Sequence, residues 1–110
     1  MDHISWHHFQ CVELRSGTIV RAEVFEEAVK PAYKLWVDVG HAVLPSSAQL
    51  TALYKPEELV GKQVLCVCNF PPKKIGPITS EVLVCGFYRE DGAVVLAVPD
   101  KPLENGARLG

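Results

Sequence analysis

The densest concentration of usable chemistry in the chain is the stretch "CNFPPKKIGPITSE", residues 68–81. A strongly apolar run, "QVLCVCNF", drives into Pro71 and Pro72; Lys73 and Lys74 follow, then Gly76-Pro77 and the polar residues Thr79, Ser80 and Glu81. Proline cannot donate to a strand ladder and pushes the residue before it into an extended conformation, so two in a row form a stiff, polyproline-like step. That step holds Phe70 at the end of a strand with two ammonium groups just beyond it. An aromatic ring beside two cations suits a stacked base with its phosphate, or an apolar side chain on an acidic peptide. The competing reading buries Phe70 in the core and uses the prolines only to protect a sheet edge.

Other polar groups could serve the same surface. Ser46, Ser47 and Gln49 follow Pro45 and offer donors and acceptors to phosphate or peptide backbone, or else to their own loop. In "KLWVDV" the alternation sends Lys34, Trp36 and Asp38 to one face, so Trp36 either meets a ligand or packs under a loop. His3, His7 and Cys11 are spaced to share a helix face on which a metal would bridge the first two; a solvated terminus explains them as well. Of the four cysteines, Cys66, Cys68 and Cys85 lie in apolar runs without CxxC spacing, which reads as reduced, buried cysteine. No Ser-His-Asp order, catalytic carboxylate pair or phosphate-cradling glycine loop is visible. We expect a binding protein rather than an enzyme, with no metal or cofactor.

The elements that must position these groups are mostly strands. Ser5 caps a short helical turn at Trp6–Phe9, and "VELRSGTIVRAEVFE" reads as a long strand with a bend or bulge at Gly17 and one face made by Val20, Ala22 and Val24. A second strand carries Leu35, Val37 and Val39 on its inner face and ends at Gly40; a third is interrupted by Pro45. "KPEELVG" is a short helix, with Pro56 at its first position, Glu57 and Glu58 at the positive end of the dipole and Gly61 as its stop. "QVLCVCNF", "EVLVCGFY" and "AVVLAVP" are late strands, the last two joined through Asp91-Gly92. The pattern predicts an all-β fold: a five-stranded OB-fold barrel with one short helix and short terminal extensions, residues 1–110 forming a single domain.

The 110 residues carry a net charge of −2, so any nucleic-acid site must be a local patch. No apolar run is long enough to span a bilayer and no secretory leader opens the chain, which leads us to expect a cytoplasmic protein without membrane insertion. Trp6, Phe9 and late strands that are apolar on both faces exceed what a small barrel can bury and point to a homodimer.

The segments "SGTIV", "KPAYKLWVDVG", "SSAQLTALYKPEELVGKQV", "NFPPKKIGPITSEVLVCGF", "VVLAVPD" and "NGARLG" resemble, in order and spacing, the tRNA-binding OB-fold family. That family includes C-terminal appendages of methionyl-tRNA synthetases and free-standing tRNA-binding proteins. "SSAQ", "NFPP" and "SEVL" are similar to its CsaA-type branch: homodimers that bind tRNA and have been assigned a chaperone role in protein export. The resemblance implies tRNA and unfolded or pre-export polypeptides as partners, bound in one groove or two adjacent ones; a purely tRNA-binding accessory to a synthetase is the alternative. It aligns Asn69 and Ser80 with the family's asparagine and serine, Lys74 with a basic position between them, and Lys34 with the lysine opening the second strand. With Phe70, Lys73, Ser46, Ser47, Gln49 and Glu81, these make the expected binding set. Val82-Leu83 stands where the wider family has Gly-Met, and Leu44-Pro45 where relatives often carry basic residues.

Overall fold

The computed structural model describes residues 1–110, and its longest strand, β1 (Leu14–Val24), organises the rest. The start of β1 pairs antiparallel with β4 (Gln63–Val67) and its later part with β2 (Tyr33–Asp38). β2 pairs with β3 (Val43–Ala48), and β4 with the two-residue β7 (Leu83–Val84). The result is a five-stranded sheet in the order β3-β2-β1-β4-β7. A strand that serves different partners at its two ends must coil, and the sheet curls into a nearly closed OB-type barrel. The seam between β3 and the segment before β7 is held by two bonds. The Glu81 N–H donates to the Pro45 carbonyl at 2.9 Å, and the Ser47 N–H donates to the Ser80 hydroxyl at 3.2 Å.

The interior follows from strand alternation. Leu35, Val37 and Val39 of the second strand run are buried with Ile19, Val64, Cys66 and Leu59, while Lys34, Trp36 and Asp38 take the other face. There are two short helices where one and a capped turn were expected. α1 (Trp6–Gln10) is capped by Ser5, whose hydroxyl accepts from the His8 N–H at 3.1 Å. α2 (Pro56–Leu59) has the expected proline and first-turn glutamates and buries Leu59.

The bulge is not at Gly17. Register shifts between Ile19 and Arg21, so Ile19 stays inside and Val20 turns out to solvent; Val24 pairs with Tyr33 on the side of Ala22 but is exposed at the strand end, and the expected face of Val20, Ala22 and Val24 does not form. Gly17 is needed for a close approach instead, since a Cβ there would sit 2.7 Å from Val37 Cγ1. Pro45 does not interrupt its strand; the ladder runs through it opposite Trp36 because β3 lies at the sheet edge, where a missing donor is tolerated. "EVLVCGFY" breaks in two at Cys85. β7 stays with β4, and β8 (Gly86–Tyr88) leaves to pair with β9 (Val94–Leu96). Cys85 is the pivot: its N–H donates to the Leu65 carbonyl and its carbonyl accepts from the Ala97 N–H.

Candidate nucleic-acid interface

Lys73 and Lys74 stand on a hairpin that the proline-rich sequence did not suggest. β5 (Lys73–Ile75) and β6 (Ile78–Ser80) pair through the two-residue turn Gly76-Pro77, with Gly76 at φ +56°. Ile75 and Ile78 lie directly opposite and pack on Phe25 and Ala32, a small second core outside the barrel. The legible signal was a Gly-first two-residue turn flanked by isoleucines. Pro71 and Pro72, both exposed, lead from β4 into this hairpin, and Phe70 is 58% exposed beside them. The core reading of Phe70 is therefore excluded.

A groove of about 690 Å³ forms between the hairpin, the proline step and the barrel seam, bringing together Phe70, Lys73, Lys74, Ser47, Ser80 and Glu81. Ser47 reaches it because Ser80 accepts from its backbone N–H, so one polar contact ties the groove's two walls. Lys34 lies outside this lining. It faces Ser47 across β2–β3, with its Nζ 5.6 Å from the centre of the Phe25 ring that also supports the hairpin. Gln49 is exposed and lines an adjoining hollow of about 430 Å³ that shares Ser47 and Leu83 with the groove.

Two expected site residues are placed elsewhere. Ser46 is 1% exposed, on the inner face opposite the buried Leu35, because strand alternation gives its neighbour Ser47 the outer face. Asn69 does not reach Ser80 or Glu81. Its Oδ1 accepts from the Glu13 N–H at 2.9 Å and its Nδ2 donates to the Cys11 carbonyl at 2.7 Å, which straps the segment after α1 onto the end of β4. No side chain or backbone group of the chain partners the Ser46 hydroxyl. Ser46→Ala is accordingly expected to leave the melting temperature unchanged or raise it by a few degrees, since a buried hydroxyl without a partner opposes folding. A fall of more than about 1 kcal/mol in calorimetry would show that the hydroxyl is bonded in the folded state.

Trp36 is half-buried under the Arg21 guanidinium, 4.5 Å from the ring centre, and Arg21 also pairs with Glu23. α1 begins after His3, so the helical neighbours are His7 and Cys11, with 3.6 Å between Nε2 and Sγ, rather than His3 and His7. No group of three or more metal-ligating side chains converges. Burial pushes the Cys66 thiol up to about 12, helped by Cys68 and Cys85, so it stays protonated and packs as an apolar residue.

An OB barrel with a cationic, aromatic groove across its seam defines a class of oligomer-binding module. The chain belongs to the tRNA-binding domain family: residues 14–108 match the family described as "Putative tRNA binding domain". It is similar to the solved chaperone CsaA of Bacillus anthracis str. Ames, with 43% identity, TM-score 0.93 and coverage of 99% of this chain and 100% of that one. The CsaA chaperone protein of Picrophilus torridus is 42% identical, with TM-score 0.91 and coverage of 98% and 100%. A methionine–tRNA ligase of Methanocaldococcus jannaschii is 32% identical over 109 residues, which is 99% of this chain but 17% of that enzyme. The family match and the likeness to the solved CsaA structures mark the chain as a non-catalytic binding module.

Proposed function

We propose that residues 1–110 act as one tRNA-binding domain, and that the same or a neighbouring groove holds extended polypeptide in an export-related chaperone role. The observation that carries the reading is the exposed Phe70 ring set beside Lys73 and Lys74 in a single groove. The lysines take phosphates, the ring takes a base or an apolar side chain, and Ser47 and Ser80 supply short polar contacts. Lys34 and Gln49 serve from the margins. Ser46 and Asn69 act through the fold instead. The chaperone part is supported by the likeness over nearly the whole chain to the solved CsaA chaperones and by the apolar Ile75, Val82 and Leu83 in the groove. Service as an accessory to a synthetase is the second reading, supported by the methionine–tRNA ligase matches. A tRNA partner supports a cytoplasmic role. No helix is long and apolar enough to cross a membrane.

A pull-down in which both RNA and polypeptide are identified tests the dual reading. A parent protein that shifts no tRNA in low-salt gels overturns the tRNA part, and one that retains no unfolded polypeptide overturns the chaperone part.

We also propose a homodimer. Trp6, Val98, Leu103 and Leu109 remain exposed, and the last three border an apolar hollow with Val64 and Leu65. α1 and the C-terminal tail adjoin, because Arg108 pairs with Glu13 and donates to the Gln10 carbonyl at 2.8 Å. Two-fold pairing through this face would cover the patch. Sedimentation at micromolar concentration should give twice the 12.1 kDa chain mass, and a clean monomer refutes the pairing.

A further inference from the structure

The hollow next to the lysine groove differs from it in kind. Lys73 and Lys74 line the groove, whereas no charged residue lines the hollow. Its walls carry Tyr88, Gln49, Leu50, Val94 and the backbone of Gly86 and Gly92. Tyr88 is the last residue of β8 and is 84% exposed; alternation puts it, with its cross-strand partner Val94, on the hollow side and sends Phe87 to the other face. The strand break at Cys85 is what swings this hairpin over the seam. Leu83 and Ser47 belong to both depressions, so one extended ligand can occupy the two in succession.

We propose that Tyr88 and Gln49 form a nucleobase subsite for single-stranded RNA, one step along the strand from the phosphates held at Lys73 and Lys74. The proposal rests on the RNA-binding reading above and adds a base-recognising element to it. A flat ring held in the open offers a stacking surface, which every base can use. A neutral primary amide offers a donor and an acceptor together, the combination that a base edge presents in return. An apolar peptide side chain gains most from enclosure away from water, and an aromatic ring left this open encloses little. The alternation of an uncharged aromatic hollow with a cationic groove matches the alternation of base and phosphate along a single strand.

The test uses the full chain and fluorescent oligoadenylate, oligouridylate, oligocytidylate and oligoguanylate of roughly eight nucleotides, within the footprint of one OB barrel. Tyr88→Ala should weaken binding by roughly 5- to 100-fold with the salt dependence unchanged, because stacking neutralises no phosphate. Tyr88→Phe should keep most of the affinity, and Gln49→Ala should alter the ranking of the four oligomers. Circular dichroism checks that each variant is folded, which the exposure of both side chains favours. If Tyr88→Ala binds every oligomer as the parent does, the subsite is wrong while the lysine groove stands. If it loses unfolded polypeptide but keeps RNA, the hollow belongs to the peptide ligand and the proposal is overturned. If the parent binds neither the oligomers nor tRNA, the RNA-binding reading has failed and the subsite falls with it.

Discussion

Replacing Lys73 and Lys74 together by alanine is expected to weaken tRNA binding by roughly 100-fold at 0.1 M salt, by roughly tenfold at 0.3 M, and hardly at all near 1 M. Each lysine on a phosphate releases about one counterion, so the pair flattens the log–log salt dependence by about 2 per groove. Extrapolated from 1 M, a slope change of about 2 becomes about two decades at 0.1 M. The geometry supports so large an effect because the chain is net acidic, at −2, and these two ammonium groups are the only cations lining the groove. Both are exposed on a hairpin whose packing rests on Ile75 and Ile78, so the change leaves the fold intact. Different tRNAs should lose affinity about equally, since phosphate contacts carry little sequence information. Gel shifts across a salt series decide it. A double variant with the parent's slope would place the RNA elsewhere.

The largest expected loss of stability comes from Leu35→Ala. Leu35 is fully buried in β2, the strand between β1 and β3, with Ala22 and Ser46 as its cross-strand partners. Removing a leucine side chain that cannot be replaced by collapse of a paired sheet costs about 2–5 kcal/mol, against a total of roughly 5–15 kcal/mol for a domain of this size. The melting temperature should drop by roughly 10–30 °C. Lys34 and Trp36 lie on the opposite face of the same strand, so the variant that remains folded should still bind tRNA at 10 °C with near-parent affinity. Calorimetry beside a gel shift separates the two effects. A loss below about 1 kcal/mol would mean that the barrel interior repacks freely around this position.

Local patterns in the chain carried a good deal of this. The alternation of Leu35, Val37 and Val39 against Lys34, Trp36 and Asp38 is a property of one strand, and it was readable because one face is buried and the other is not. The α2 helix, the Ser5 cap and the Asp91-Gly92 turn depend on residues a few positions apart, and each formed where its signals stand. The stiff step after Phe70 followed from proline chemistry, whereas the residues alone left the ring between core and surface, and the fold exposes it. The family, too, was legible from the order of its segments.

Contacts between distant segments were decided only on folding. The bulge moved from Gly17 to Val20 because register is set jointly by β2 and β4, while Gly17 answers to Val37 across the ladder. The late run "EVLVCGFY" split because Cys85 must serve Leu65 on one side and Ala97 on the other, residues 20 and 12 positions away along the chain. That split, invisible to any local pattern, places Tyr88 beside Gln49. Ser46 and Ser47 are adjacent and chemically identical, yet the pairing of β3 with β2 buries the first opposite Leu35 and opens the second to the groove. Asn69 reads as a ligand-binding amide in isolation; the return of the N-terminal segment to the end of β4 uses both of its polar atoms. Residue type and spacing determine what a group can do, whereas which partner it meets depends on segments folded back from tens of residues away, and only the barrel brings those together.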